Sequence, residues 1–151
     1  MSKASIRRMR RSDLTVVSEL AMLANPHATK EKYRKHILDE LRENPDLSFV
    51  AVDYGKVVGY SQAAVNNDEA TLEDIVVAKE YQGKGVGERL LNKELKTLQR
   101  KGAKIVFVEV HYKCASAIPF YYKFDFRISG FGQDYFGTGH DAIILKRILR
   151  R

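Results

Sequence analysis

Cysteine is almost missing from this chain: Cys114 is the single one among 151 residues. One cysteine excludes an internal disulfide and a cysteine-built zinc cluster. The four histidines (His27, His36, His111 and His140) never fall at a metal-ligand spacing such as HxxxH, so no structural metal is expected. No stretch approaches the ~20 consecutive apolar residues that cross a bilayer. The opening run, Met1 to Arg11, has no apolar core of the kind a secretory signal needs. Internal repeats, low-complexity tracts and linker-like segments are absent too. These absences lead to the expectation of a soluble, cytoplasmic protein with no membrane contact.

What is present suits one compact domain, 1–151. Hydrophobic residues make up 44% and charged residues 30%, enough apolar surface to offset the entropy of ordering the chain. Basic residues number 26 against 19 acidic, a net charge of +7. That balance favours a polyanionic partner, whether nucleic acid, a phosphorylated cofactor or an acidic surface. The basic residues gather at the ends: Arg7, Arg8, Arg10 and Arg11, then Lys146, Arg147, Arg150 and Arg151. A solvated surface is the simpler account of them.

Periodicity supplies the elements. Ala4 to Met9 reads as a strand. Ser12-Asp13 offers an N-cap before Val16, Val17, Leu20, Leu23 and Ala24, which have helical spacing, and Asn25-Pro26 stops that helix. Thr29 can cap a second helix with Tyr33, Ile37, Leu38 and Leu41 on one face, ended by Asn44-Pro45. The period then changes to two. Leu47 to Asp53, Lys56 to Val65 and Ala70 to Val77 read as a three-stranded meander, with turns at Tyr54-Gly55 and Asn66 to Glu69. Val86, Leu90, Leu91, Leu95 and Leu98 mark a helix that Gly102 closes. Ile105 to Val110 is a buried strand, Ala115 to Lys123 a short helix, and Phe126 to Ile128 and Ala142 to Ile148 the closing strands. The order β-α-α-β-β-β-α-β-α-β-β contains one β-α-β crossover, which joins parallel strands. The fold class is therefore α/β: a mixed, twisted, mostly antiparallel sheet with helices on both faces.

Gln82-Gly83-Lys84-Gly85-Val86-Gly87 lies between a strand and a helix. Glycines there let a ligand approach the backbone, and the free N–H groups of the helix start favour an anion. Lys84 and Arg89 add positive charge. A Walker loop fails, because Glu88 stands where Gly-Lys should begin to close the pattern. A dinucleotide fingerprint fails as well, because Gly83 to Gly87 reads GxGxG and no ribose-binding acid follows. The pattern that fits is Q-x-x-G-x-G, through Gln82, Gly85 and Gly87.

The run Val77 to Gly87 resembles the acetyl-CoA loop of the GNAT N-acetyltransferase superfamily. A second family motif, roughly N-x-x-A-I-x-F-Y-x-K-x-G-F, is similar to Cys114 to Phe126, with Cys114 in place of the usual Asn and Asp125 in place of the usual Gly. The element order is also the family's, and the resemblance spans nearly the whole chain. It implies acetyl-CoA as cosubstrate, with pyrophosphate on the amides of Gln82, Gly83, Lys84, Gly85, Val86 and Gly87. The pantetheine would pair with the backbone of Ile75, Val76 and Val77, and Cys114 would line the cofactor cleft. The Asn-to-Cys change would alter one cofactor hydrogen bond, and Asp125 implies an altered turn into the next strand.

Acetyl transfer needs a deprotonated amine, a stabilised oxyanion and a proton for the leaving thiolate. The resemblance assigns the proton donor to Tyr121, whose alternative role is a packed core aromatic. Glu109 and Glu73 are the candidate bases, in that order. Glu109 stands in a buried strand, where an acid is unexpected, and Phe107-Val108-Glu109-Val110 resembles the Leu-Glu-Val segment of bacterial acetyltransferases acting on a ribosomal protein N-terminus. Glu73 is expected on the same face as Ile75 and Val77. Either carboxylate could instead sit in a plain salt bridge. His111 is expected on a loop, and a nucleophilic role for Cys114 finds no legible Cys-His-Asn/Asp set.

Tyr135 to Ala142 resembles the closing segment of the N-terminal protein acetyltransferase branch, and polyamine acetyltransferases have a related ending, so the segment does not decide the substrate. The acceptor is expected between residues 12–43 and Phe131 to Asp141, with Asp134 and Asp141 available to a cation. The sequence thus points to an acetyl-CoA-dependent N-acetyltransferase acting on a primary amine, a peptide or protein N-terminus ahead of a polyamine-type amine. The rivals are a non-catalytic CoA-binding regulatory module and a nucleic-acid binder, the latter lacking an aromatic RNA-binding signature. The family implies a monomer or homodimer.

Overall fold

The computed structural model describes residues 4–26 and 28–149. His27, Arg150 and Arg151, all weighed above, lie outside the described residues. Seven strands form one sheet in the order β1-β2-β3-β4-β5-β7-β6. They are β1 (Ser5–Arg8), β2 (Ser48–Asp53), β3 (Lys56–Asn66), β4 (Glu69–Val77), β5 (Ile105–His111), β6 (Arg127–Gly132) and β7 (Ala142–Ile148). The helices are α1 (Leu14–Ala24), α2 (Lys30–Glu43), α3 (Val86–Arg100) and α4 (Ile118–Lys123). Only β4 and β5 run parallel, as the crossover requires.

The alternating strands bury both faces. On one, Val17, Ala21 and Ile37 from α1 and α2 pack on Val50, Tyr60 and Val76. On the other, Val86 and Leu90 of α3 cover Phe49, Ala51 and Val58, and Leu91, Leu95 and Leu98 continue the layer over Leu72, Val106 and Leu145. The turn between β2 and β3 places Tyr54 at φ 49° and Gly55 at φ 74°, the left-handed pair that matches strand twist in a tight hairpin. Thr29 caps α2, its hydroxyl accepting from the Lys32 N–H at 3.2 Å.

Several local expectations change. Asp13 does not cap α1. It ends a 3-10 turn (Arg11–Asp13), accepting two bonds from the Arg7 guanidinium at 2.8 and 3.0 Å and one from the Arg10 N–H at 2.7 Å. Arg7 is therefore committed to a structural ion pair. The helix expected from Ala115 opens as the end of a 3-10 stretch (Tyr112–Ala117), whose kink at Cys114 lies before the expected start, and becomes α4 at Ile118. Phe126 is core rather than strand, and β6 runs on to Gly132. Asp125 takes φ 65°, the left-handed state a glycine would supply, which the short Asp side chain tolerates. The Phe126 N–H then closes on the Tyr121 carbonyl at 3.2 Å. His111 is the last residue of β5, and it is buried rather than on a loop.

Candidate active site

The parallel pair is short. Glu69, Ala70 and Thr71 pair with Ile105, Val106 and Phe107, and no further residues of β4 and β5 are paired. Beyond that point β4 continues along β3 to Val77, while β5 continues along β7 to His111. The two strands splay, and the β5-facing backbone edge from Leu72 to Val77 is left without a strand partner. At the mouth of the split lies a cleft of about 690 Å3 lined by Ile75, Val77, the run Gln82 to Gly87 and, across it, Phe120 and Lys123.

Why the loop turns here is a matter of glycine. Gly83 and Gly85 take φ 75° and 84°, and Gly85 is the N-cap of α3 with no side chain capping the helix. The first turn of a 15-residue helix therefore presents its N–H groups outward. Nothing stands within 4 Å of where a Gly85 Cβ would be, so the cradle is open toward the cleft. Gln82 closes the back of the loop, donating to the Val77 carbonyl at 3.1 Å. The Tyr81 hydroxyl donates to Asp53 at 2.7 Å, and the Lys84 ammonium lies 5.5 Å from the centre of the Tyr81 ring. Uncapped amides, a lysine and an open cradle fit a phosphate, and the unpaired β4 edge fits an amide-bearing chain.

All six loop residues expected at the phosphate line this cleft, together with Ile75 and Val77. Val76 points its side chain into the α1/α2 layer, leaving only backbone for a ligand. Cys114 does not line the cleft; its thiol donates to the Asn25 Oδ1 at 3.3 Å. Sequence reasoning missed Tyr81, Glu88, Ala117, Phe120 and Lys123 as lining residues. Glu88 and Lys123 pair across the rim at 3.5 Å.

The ionisable groups gather around the split. The register of β3 against β4 passes from Gln62 opposite Asp74 to Ala63 opposite Leu72, so Glu73 is the extra residue of a β-bulge. The bulge breaks the alternation. Ile75 and Val77 pack with the α3 layer, whereas Glu73 feels the charges of Glu40 on α2, Glu109 on β5 and Asp74. The expectation that Glu73 shares a face with Ile75 and Val77 is thus overturned. Burial, followed by those three like charges, pushes the Glu73 carboxyl up to about 7. Asp74 accepts from the Tyr60 hydroxyl at 3.3 Å; burial pushes it up to about 6 while His36 and that bond oppose the rise. Glu109 accepts from the Tyr135 hydroxyl at 3.1 Å, which joins β5 to the 133–141 loop.

Tyr121 stands within α4, 9% exposed, its ring edge-on to Phe120 and Phe126. Burial, with the Asp74 charge next, holds its phenol well above the ordinary range, so it keeps its proton at neutral pH. Tyr33 of α2 is raised by burial and by the same Asp74 charge, then by Cys114. Asp134 and Asp141 are less available than expected. Asp134 Oδ1 accepts from the Gly139 N–H at 2.7 Å, and Asp141 Oδ1 from the Asp134 N–H at 2.8 Å, knitting the loop to itself. Among the described residues no group of three His, Cys, Asp or Glu side chains could hold a metal ion, and no helix is long and apolar enough to cross a membrane.

A splayed parallel pair, a glycine cradle on one side and a proton-holding phenol among carboxylates on the other define an enzyme that moves an acyl group from a phosphorylated thioester. Residues 14–126 match the Acetyltransferase (GNAT) family, and the chain belongs to it. It is an acetyl-CoA-dependent N-acetyltransferase. A Bacillus subtilis protein provisionally named ribosomal protein bS18-alanine N-acetyltransferase is 28% identical over 95% of both chains. The Escherichia coli ribosomal protein bS18-alanine N-acetyltransferase is 32% identical over 66% of this chain and 69% of its own. The crystal structure of Ard1 from Thermoplasma volcanium superposes with a TM-score of 0.89 at 26% identity, covering 98% of this chain and 99% of that one.

Proposed function

We propose that this chain, as one catalytic domain in the cytoplasm, acetylates the α-amine of a protein N-terminus. The observation that carries the reading is the placement of Glu73 and Glu109. They stand on the two strands that part beyond Thr71 and Phe107, close enough for the Glu109 charge to raise the Glu73 pKa, and Tyr121 of α4 feels the charge of Asp74, the neighbour of Glu73 on β4. The two bS18-alanine acetyltransferases named above act on such an amine, by their names, and support the choice of acceptor.

Acetyl-CoA supplies the acetyl group as an activated thioester. The amides of Gly83 to Gly87, with Lys84, hold its phosphates, and the free edge of Ile75 to Val77 aligns its amide-bearing arm. Glu109, oriented by Tyr135, accepts the proton that the amine must lose, and Glu73 stands across the split as the second acceptor of a proton. Tyr121 donates to the departing sulfur. Because burial and Asp74 disfavour its phenolate, Tyr121 recovers a proton readily after each cycle.

The test is acetyl transfer to peptides beginning with alanine, set against polyamines and aminoglycosides, with the product identified by mass. N-terminally acetylated peptide is expected. Acetylated polyamine with untouched peptide would sink the acceptor assignment. In the same assay Glu109→Gln should lower kcat/KM by roughly 10²-fold, with partial recovery at high pH, where free amine is abundant. If Glu73→Gln behaves this way and Glu109→Gln does not, the two carboxylates exchange roles.

A further inference from the structure

Glu88 is an unexpected residue for its place. It is the third residue of α3 and follows the Gln82 to Gly87 run directly, so a carboxylate stands in the helix turn that the cradle offers to a phosphate. Its side chain also lines the cleft. A carboxylate suits a helix N-terminus on its own, but an anionic ligand reaching the same turn meets its like charge. Lys123, the last residue of α4, lines the facing wall, and its ammonium lies 3.5 Å from Glu88 Oε1. Packing brings the two walls this close: the Phe120 ring of α4 lies 3.6 Å from where a Gly87 Cβ would be. Glu88 and Lys123 are 46% and 66% exposed, so water screens the bond between them and either partner can be exchanged at little cost.

We propose that Glu88 competes with the phosphates of acetyl-CoA for Lys123. The donor takes the ammonium from the carboxylate as it binds, and the carboxylate takes it back as CoA leaves. The proposal rests on the Gln82 to Gly87 loop as the phosphate site. Binding then costs the ion pair and leaves the Glu88 charge beside the phosphates, and both effects lower donor affinity. The chemistry of the cycle gives this a use. CoA keeps every phosphate that acetyl-CoA carries, so a site that gripped phosphate as tightly as it could would hold the product as firmly as the substrate. Such uniform binding adds nothing to kcat. A carboxylate that reclaims the lysine loosens both and speeds release. A plain surface ion pair, by contrast, would leave CoA affinity untouched when Glu88 is neutralised.

The experiment uses the full chain, unaltered and as Glu88→Gln, Lys123→Gln and the double variant. CoA binding is measured by calorimetry at low and high salt, and CoA release by stopped flow. Glu88→Gln should tighten CoA roughly 3- to 10-fold and slow its release, the combined worth of one exposed ion pair and one charge at a helix start. Lys123→Gln should weaken CoA. In the Lys123→Gln background the gain from Glu88→Gln should shrink, because the carboxylate then has no cation to withhold and only its repulsion remains. High salt should shrink the gain in both backgrounds. Unchanged or weaker CoA binding by a folded Glu88→Gln protein, or an equal gain with and without Lys123, overturns the inference. Failure of the unaltered chain to bind CoA, or CoA affinity that survives Gly85→Glu, would instead overturn the phosphate-site reading beneath it.

Discussion

His111 and His140 share a hydrogen bond, Nε2 to Nδ1, at 2.8 Å. Its direction follows from a neighbour. The Lys113 N–H donates to His111 Nδ1 at 3.1 Å, so that nitrogen carries a lone pair and the ring proton sits on Nε2. His111 therefore donates and His140 accepts. The bond fastens the 133–141 loop to the end of β5, two residues after Glu109, and the same loop carries the Tyr135 that orients Glu109. His140→Ala should free the loop. The KM for peptide should rise about 3- to 10-fold, the worth of one neutral hydrogen bond, with the KM for acetyl-CoA unchanged. Steady-state kinetics with each substrate varied in turn would show it, and equal changes in both KM values would refute it.

Tyr121→Phe deletes one hydroxyl and keeps the ring against Phe120 and Phe126. Melting temperature and acetyl-CoA affinity should change little. The rate should fall by about 30- to 10³-fold, some 2–4 kcal/mol of transition-state stabilisation, in kcat more than in KM. Since burial keeps the phenol protonated far above neutrality, no limb of the pH profile between 6 and 9 belongs to it. Measuring melting and kcat on one preparation separates this from a packing role, for which the protein would lose stability and keep its rate.

Gly85 can be tested by two substitutions. Gly85→Ala meets no neighbour but places a side chain at φ 84°, a strain of roughly 1 kcal/mol. Gly85→Glu adds a negative charge in the open cradle at the start of α3. Acetyl-CoA affinity should fall modestly in the first and by more than 100-fold in the second, as read by calorimetry on folded protein. Comparable affinity in both would remove the cradle as the phosphate site.

Glu94 governs stability rather than turnover. It is fully buried beneath β3, and neither oxygen makes a hydrogen bond of normal geometry among the described residues, although the Ser61 hydroxyl is close enough to favour the charged form slightly. Burial drives its pKa well above the carboxylate range. Above pH ~4.5 the unfolded chain releases this proton and the folded chain keeps it, so stability falls as pH rises, at up to about 1.4 kcal/mol per unit, until the folded group ionises. Glu94→Gln removes that dependence. Urea denaturation at pH 5 and pH 8 should give a smaller difference for the variant than for the parent, and an identical difference would exclude Glu94 as the source.

The frame was readable because its signals are local. Thr29, Asn25-Pro26, Tyr54-Gly55 and the Gln82 to Gly87 run mark boundaries by backbone chemistry that depends on a few adjacent residues. The change from period 3.6 to period 2 after Asn44 separates the first two helices from the meander without knowledge of what they pack on. The site was half legible. Tyr121, Glu109 and the glycine loop came from motifs, but the face presented by Glu73 and Asp74 depends on a bulge, and a bulge leaves no mark in residue order. Tyr81, Phe120 and Lys123 reach the cleft only through tertiary packing. Asp125 shows a milder limit: a left-handed position was filled by a residue other than glycine.

Among the described residues, three residue pairs between β4 and β5 are all the strand pairing that joins a four-stranded half, β1 to β4, to a three-stranded half, β5 to β7. The donor's amide-bearing arm lies along the unpaired part of that seam in the proposed complex, so the donor acts there as a missing strand. Its occupancy then counts toward the persistence of the fold itself. At a concentration 100-fold above Kd, the gain is about 2.7 kcal/mol, a large fraction of the stability of a domain this size. The stability of the fold with donor bound therefore exceeds that of the bare chain by an amount set by donor concentration, through an incomplete ladder of hydrogen bonds.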